Sequence, residues 1–356
     1  LVYVPRDRYD TTLRRRIQSI LEAAYDGTCT GFTTQLTESV LARLHFIIRT
    51  EPGRVPAVDA TDLEARLVQA SRGWDDHLRD ALVEAHGEEQ GRTLFRRYAD
   101  AFPTAYREEF NAEAAVFDID RIEKATAQGT LGINLYRPLE AEGDELHVKI
   151  YHEGRPVPLS DVLPMLEHMD LKVITEAPFE IAIAGHAAPV WIHDFTARSQ
   201  NGLPIDCAMV KEKFQDAFAA VWDGRMEDDG FNRLVLRAGL TAREVTVLRA
   251  YAKYLRQARI PYGQDVVEST LAGHPAIARK LVALFHSRFD PARRPQNDPG
   301  LAAEIERALD GVKNLDEDRI LRRFLNLLCN TLRTNAYQTG ADGRPKTYLS
   351  FKIDSR

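Results

Sequence analysis

Leu146-His147-Val148-Lys149-Ile150-Tyr151-His152-Glu153-Gly154-Arg155-Pro156-Val157-Pro158-Leu159-Ser160-Asp161-Val162-Leu163-Pro164-Met165-Leu166-Glu167-His168 is the stretch from which the fold can be read. Leu146, Val148 and Ile150 alternate with His147, Lys149 and Tyr151, the period-two pattern of a strand. The turn Glu153-Gly154-Arg155-Pro156 then delivers the chain to a short helix, expected from Ser160 to His168. Two strands should follow, Leu171 to Ile183 and Val190 to Ala197. Strand, helix, strand, strand describes a small α/β module.

The first 50 residues repeat that outline without repeating its residues. Leu1 to Pro5 reads as a strand, and Leu13, Ile17, Ile20, Leu21 and Ala24 recur at helical spacing. Gly27 is expected to end that helix in a left-handed conformation. Two strands follow, the second with Ala42, Leu44, Phe46 and Ile48 on one face and Arg43, His45 and Arg49 on the other. From Asp59 to about Phe117 the pattern is helical. Thr61 and Glu64 have the spacing of a capping box, and Gly87 and Pro103 divide the stretch into three expected helices. After Asn201-Gly202 only helices are expected. Their apolar faces are Phe214, Phe218, Val221 and Trp222; Val245, Leu248, Ala252 and Leu255; and Ile277, Leu281, Leu284 and Phe285. Asp290 to Gly300 reads as a loop. A last helix from about Leu315 to Thr334 leads through Gly340-Ala341-Asp342-Gly343 to a closing strand with nothing after it to pair against.

The 356 residues suffice for two or three domains, and 44% hydrophobic with 28% charged residues is an ordinary globular balance. A formal charge of -6 gives no overall attraction to nucleic acid or to anionic membranes. No apolar run approaches the roughly 20 residues of a membrane-crossing helix, and no signal peptide is visible. Cys29, Cys207 and Cys329 are isolated and odd in number, which favours reduced thiols and a cytoplasmic setting. The unmatched opening and closing strands give the expectation of a piece cut from a longer chain.

Chemistry-bearing motifs are sparse. GxGxxG, GxxxxGK[ST], G-x-S-x-G and HExxH do not occur. The histidines stand singly, and His147 and His152 lack metal-ligand spacing. The acidic run Asp223 to Gly230 has the wrong spacing for calcium and reads as a solvated turn. His193 and Asp194 are neighbours on a strand and so point to opposite faces, which gives them structural roles. Leu240 to Arg249 looks like the opening of a helix-turn-helix, with Arg249, Lys253 and Arg256 on one face. No second recognition helix follows promptly, and Thr241 with Glu244 is also a plain capping box.

Longer stretches carry a family resemblance. Val2-Tyr3-Val4-Pro5-Arg6-Asp7-Arg8-Tyr9, Ser39-Val40-Leu41-Ala42-Arg43-Leu44-His45-Phe46 and Leu159 to Glu167 resemble the large-subunit class of bacterial NAD-dependent glutamate dehydrogenases. So do the run from Phe214 through Trp222 to Asp229-Gly230-Phe231-Asn232-Arg233-Leu234-Val235-Leu236, then Leu248 to Tyr251, Leu315 to Arg322, Arg333 to Asn335 and Tyr348 to Lys352. Thr241-Ala242 departs from the pattern, since relatives tend to carry a Trp there. The resemblance implies an α+β chain: two ACT-like (ferredoxin-like) modules, residues 1–125 with added helices and 126–205, then a helical segment 206–335 and the start of a catalytic domain, 336–356. It implies a regulatory and assembly region whose full-length enzyme interconverts L-glutamate and 2-oxoglutarate with NAD. The catalytic lysines, catalytic aspartate and NAD fold would lie beyond residue 356, so no catalytic, cofactor-binding or metal-binding residue is assigned. The implied partners are the catalytic core of the same polypeptide, further copies in a homo-oligomer and an amino-acid effector, with no nucleic acid and no membrane. The effector would sit at Gly154, Arg155, Ser160 and Asp161, where the loop of the second module meets its first helix. The alternative is a ligand-sensing transcriptional regulator using residues 240–260, and a third reading is a structural scaffold.

Overall fold

The structure is a computed structural model describing residues 1–35, 39–53, 56–138, 141, 144–202, 204–293, 299–341 and 343–354. Asp342, residues 294–298 of the loop expected from Asp290 to Gly300, and residues 355–356 lie outside them. The contacts divide the chain into two compact units, Leu1–Asp120 with Ala182–His186, and Arg121–Ile181 with Ala187–Arg356.

The first unit opens with β1 (Val2–Pro5), α1 (Thr11–Tyr25), β2 (Thr28–Gln35) and β3 (Leu41–Arg49), in an antiparallel sheet of order β1-β3-β2. Asp10 caps α1 by accepting from the Leu13 N–H at 2.6 Å. Leu13, Ile17 and Leu21 of α1 pack on Val2, Val4, Ala42, Leu44 and Phe46 of the sheet, the faces expected from periodicity. The left-handed residue after α1 is Asp26 (φ 46°), not Gly27. Gly27 is needed for a different reason: a Cβ there would meet the Arg49 carbonyl oxygen at 2.6 Å, where the chain turns tightly onto β3.

Five helices, not three, follow in α2 (Ala60–Ser71), α3 (Trp74–His86), α4 (Glu88–Tyr98), α5 (Thr104–Glu109) and α6 (Ala112–Gln128). The extra breaks fall at Arg72-Gly73 and at Phe110, whose extended backbone conformations interrupt the ladder without any proline. The cap of α2 is Asp59, whose carboxylate accepts from Thr61 and Asp62 N–H, so Thr61 lies inside the helix and the expected box with Glu64 does not form. Trp74 packs edge-on against Tyr106, with Phe102 and Phe110 beside it, and its indole N–H donates to the Phe110 carbonyl at 2.9 Å.

The second unit holds β4 (Gly132–Tyr136), β5 (Glu145–Glu153), α7 (Leu159–His168), β6 (Leu171–Ile181) and β7 (Val190–Ser199), in an antiparallel sheet of order β4-β5-β7-β6. Ile133, Leu135, Leu146, Val148, Ile150, Phe195 and Ala197 join one apolar core with Val162, Met165 and Leu166 of α7 and with α8 (Cys207–Trp222). Lys149 and Tyr151 on the alternate face of β5 are buried as well, so this sheet is covered more fully than simple alternation suggests.

A helical assembly continues the same core: α9 (Arg233–Ala238), α10 (Ala242–Gln257), α11 (Gln264–Gly273), α12 (Pro275–Phe289), α13 (Pro299–Leu309) and α14 (Leu315–Asn330). The expected faces are the buried ones, including Leu248, Leu255, Ile277, Leu281, Leu284 and Phe285. The last helix is shorter than its pattern. It stops at Asn330, and β8 (Thr331–Thr334) pairs antiparallel with β9 (Phe351–Ile353). The closing strand therefore has a partner within the chain. Thr331 is fully buried and its hydroxyl lies 2.9 Å from that of Tyr251, a contact that extended backbone makes possible and periodicity does not reveal.

Candidate effector site

The corner between β5 and α7 carries the four residues expected to meet an effector. Gly154 turns with φ 93°, and its N–H donates to the Pro189 carbonyl at 2.8 Å. His152 Nδ1 lies 2.8 Å from the Arg155 carbonyl oxygen, so the ring donates there. Gly154, Arg155, Ser160 and Asp161 are all exposed. Ser160 donates its hydroxyl hydrogen to Asp161 Oδ1 at 3.2 Å. Pro158 occupies the cap position of α7 and no side chain caps the helix. The Asp161 N–H donates to the Pro158 carbonyl at 3.0 Å, which leaves the Leu159 and Ser160 amides of the first turn for an external acceptor.

Behind this loop stands a group the sequence marked only as structural. The Val157 N–H donates to His193 Nε2 at 3.1 Å, and His193 Nδ1 lies 2.7 Å from Glu176 Oε1. Nε2 must be the unprotonated nitrogen, leaving Nδ1–H to donate to the carboxylate. The loop is thus tied to the interior of the sheet through a buried imidazole. Asp194 points to the opposite face, as strand geometry required, and lies 3.1 Å from His147 Nδ1 with the Tyr136 hydroxyl at 3.2 Å. Burial alone would lower the His147 pKa, but hydrogen bonding to Asp194, its charge and that of Glu145 raise it.

The basic face on α10 turns its first cation inward. Arg249 is only 3% exposed; its Nε and Nη2 donate to both carboxylate oxygens of Asp229 at 2.7 and 2.8 Å, and Nη2 donates to Asn232 Oδ1 at 2.6 Å. Lys253 pairs with Glu227, and Arg256 donates to Gln264 at 3.2 Å. Asp229 also accepts from the Phe231 N–H at 3.1 Å. The acidic run is therefore the counter-charge of α10, more than a solvated turn. Thr241 and Glu244 form the expected capping box. Glu244 goes further, with Oε1 2.8 Å from His286 Nε2, while His286 Nδ1 lies 2.5 Å from the Tyr337 hydroxyl. Burial would raise the Glu244 pKa, yet hydrogen bonds from His286 and Thr241 hold it down at about 2.

A separate cleft of about 810 Å3 is lined by Asp170, Val210, Lys213, Leu236, Arg237 and Arg279 among others. Two of its cations are already committed, Arg237 to buried Asp170 and Lys213 to the Gly239 carbonyl. Among the described residues no group of three or more His, Cys, Asp or Glu could hold a metal, and no helix is long and apolar enough to cross a membrane.

Family models match this chain one after another along most of its length. They are glutamate dehydrogenase ACT2 domain at residues 1–75, helical motif 2 at 81–125, ACT3 domain at 130–210 and helical motif 3 at 226–291. The bacterial NAD-glutamate dehydrogenase catalytic domain follows at 304–356. This chain belongs to the large bacterial NAD-specific glutamate dehydrogenase family. Its similarity to curated members runs along its whole length. It is 44% identical over 356 residues to the NAD-specific glutamate dehydrogenase of Halomonas elongata, 99% of this chain and 22% of that protein. It is 41% identical to the enzyme of the same name from Pseudomonas aeruginosa and 35% identical to that from Mycobacterium tuberculosis, covering 22% and 23% of them. The chain thus spans less than a quarter of the length of these glutamate dehydrogenases. The two ACT matches fall on the two strand-helix-strand-strand modules, which makes the fold α+β as the pattern indicated.

Proposed function

We propose that residues 1–356 are the regulatory and assembly region of an NAD-dependent glutamate dehydrogenase. The complete polypeptide converts L-glutamate, NAD+ and water to 2-oxoglutarate, ammonium and NADH in the cytoplasm, as a homo-oligomer. The observation that supports this reading is the series of ACT, helical-motif and catalytic-domain matches in one order along the chain. On this reading the working divisions are 1–125, 126–205, 206–335 and 336–356, although the catalytic-domain match already begins at residue 304, within the third. NAD binds elsewhere in the polypeptide. Nothing favours the transcriptional regulator: of the three cations it needs on α10, Arg249 is buried against Asp229 and Lys253 pairs with Glu227.

Regulation, on this reading, works through an amino acid held at the β5–α7 corner. Its carboxylate meets the open amides of α7 and the guanidinium of Arg155, and its ammonium group meets Asp161. Calorimetry with the twenty amino acids tests it. One should give heat with this chain, and Arg155→Ala should abolish that heat. The same substitution in the complete enzyme should leave basal turnover intact and remove the response to that amino acid. No heat from any of them, or heat that survives Arg155→Ala, removes this corner as the site.

A further inference from the structure

Pro156-Val157-Pro158 leaves a single backbone N–H in the middle of the loop between β5 and α7, because proline carries none. That N–H, on buried Val157, is the one donated to His193 Nε2 at 3.1 Å. The two prolines also stiffen the loop, since each fixes its own φ and restricts the residue before it. One hydrogen bond, with the Val157 side chain in the core, therefore seats a stiff arm.

The two nitrogens of this ring make opposite demands on a proton. Nδ1 lies 2.7 Å from Glu176 Oε1 on β6, a carboxylate that favours imidazolium. Nε2 faces an N–H, which only an unprotonated nitrogen can accept. A second proton on the ring strengthens the Glu176 contact but sets two N–H groups head to head at Val157. His193 is 2% exposed and lies along β7 between Trp191 and Phe195, stacked on the latter at 6.2 Å, so the conflict cannot be relieved by swinging the ring into water. The other charged groups around it stand off. His152 on β5 is occupied by the Arg155 carbonyl, and Glu153, Arg155 and Glu180, the last opposite Trp191 on β6, are exposed. The helix α7 turns Val162, Met165 and Leu166 to the core and leaves Asp161 and Glu167 exposed. Asp194, His147 and Lys149 belong to the opposite face of the sheet.

We infer that His193 is a proton-operated latch: the neutral ring holds the β5–α7 loop shut through the Val157 N–H, and protonation at Nε2 releases it. The arm so held carries Arg155 and runs directly into Leu159 and Ser160, the cation and amides assigned to an amino-acid carboxylate. Linkage between the two events has a definite sign. A ligand that needs the loop shut competes with the proton at Nε2, so its binding weakens as pH falls. Where the ring is partly protonated, binding that ligand expels a proton. This coupling rests on the proposed effector site; the latch itself does not.

Hydrogen exchange of the Val157 amide in the 356-residue chain, corrected for the intrinsic pH dependence of exchange, tests the latch with no ligand present. Its protection should fall at least about tenfold between about pH 8 and 5, while the amides of α10 keep theirs. His193→Gln puts an oxygen that does not titrate where Nε2 stood, so protection should persist over that range. Glu176→Gln keeps an acceptor for Nδ1–H and removes the charge that favours imidazolium, so release should need a lower pH. It reads the same latch if His193→Gln does not fold. Protection in the parent that ignores pH overturns the inference. An equal fall in His193→Gln does so too, as does an unchanged profile in Glu176→Gln. The coupling is read apart, by calorimetry. An amino acid that binds should do so at least about tenfold more tightly at about pH 8 than at 5, and equally at both in His193→Gln. Equal affinity in the parent overturns the coupling. If no amino acid binds, the effector reading fails and the exchange result alone decides the latch.

Discussion

Arg249 lies in a row of cations whose spacing alone made it a candidate for touching a polyanion, and burial reverses that reading. A guanidinium held by both oxygens of Asp229 and by Asn232 has no field left to offer a phosphate. Arg249→Ala should therefore cost about 3–5 kcal/mol, because it leaves Asp229 unpaired in a largely buried place. Arg249→Lys should recover only part of this, since an ammonium cannot bridge two oxygens in one plane. Urea denaturation measures both, and an unchanged midpoint for Arg249→Ala would put the side chain back in solvent. Glu244 gives a pH dependence with a definite sign. Its folded pKa of about 2 lies below the ordinary glutamate value of 4.5, so its contribution is complete above pH 4.5 and is lost as pH falls toward 2. The contribution is on the order of 3 kcal/mol. Glu244→Gln should flatten this part of the stability profile between pH 5 and 2 relative to the parent. Parallel profiles would show that His286 and Thr241 do not hold the carboxylate.

At the scale of elements, helix pairs are decided by close approaches as much as by apolar faces. Gly91 of α4 sits where a Cβ would meet the Val83 Cα at 2.6 Å and the Leu82 carbonyl oxygen at 2.7 Å, so α3 and α4 touch backbone to backbone. Gly91→Ala should push them apart at a cost of about 1–3 kcal/mol, although alanine is the better helix former. A stabilised variant would mean the contact is loose. Leu255 on α10 belongs to the large core and is 3% exposed; Leu255→Ala should cost roughly 2–5 kcal/mol. Its denaturation midpoint is the check, and no change would place that face of α10 in solvent.

For the whole molecule, what matters is what the chain does without the rest of the polypeptide. Glutamate oxidation requires a bound nicotinamide and a base beside the amino group. On the proposed reading both lie outside residues 1–356. The purified chain should then produce no glutamate-dependent NADH above a heat-killed control, while the complete polypeptide should. NADH formed by the chain alone would place an active site within it and overturn the division of labour.

Periodicity and long stretches of residue identity were enough to determine the α+β class, the two modules, the apolar faces of α8, α10 and α12, and the family. Those properties are local in the chain, or spread over many residues, so three-dimensional contacts are not needed to see them. The tertiary structure decided where each charge is spent. Asp229 meets Arg249, Glu176 meets His193 and Glu244 meets His286 across sequence separations that no spacing rule connects. It also decided that β9 has a partner, that Asp59 rather than Thr61 caps α2, and that Gly27 and Gly91 are needed for close backbone approach. The candidate corner was legible only as a glycine turn before a helix, and its tie to His193 was not. Hydrogen bonds and backbone contacts are set by distances of a few tenths of an ångström between segments far apart in sequence, and only the packed fold fixes those.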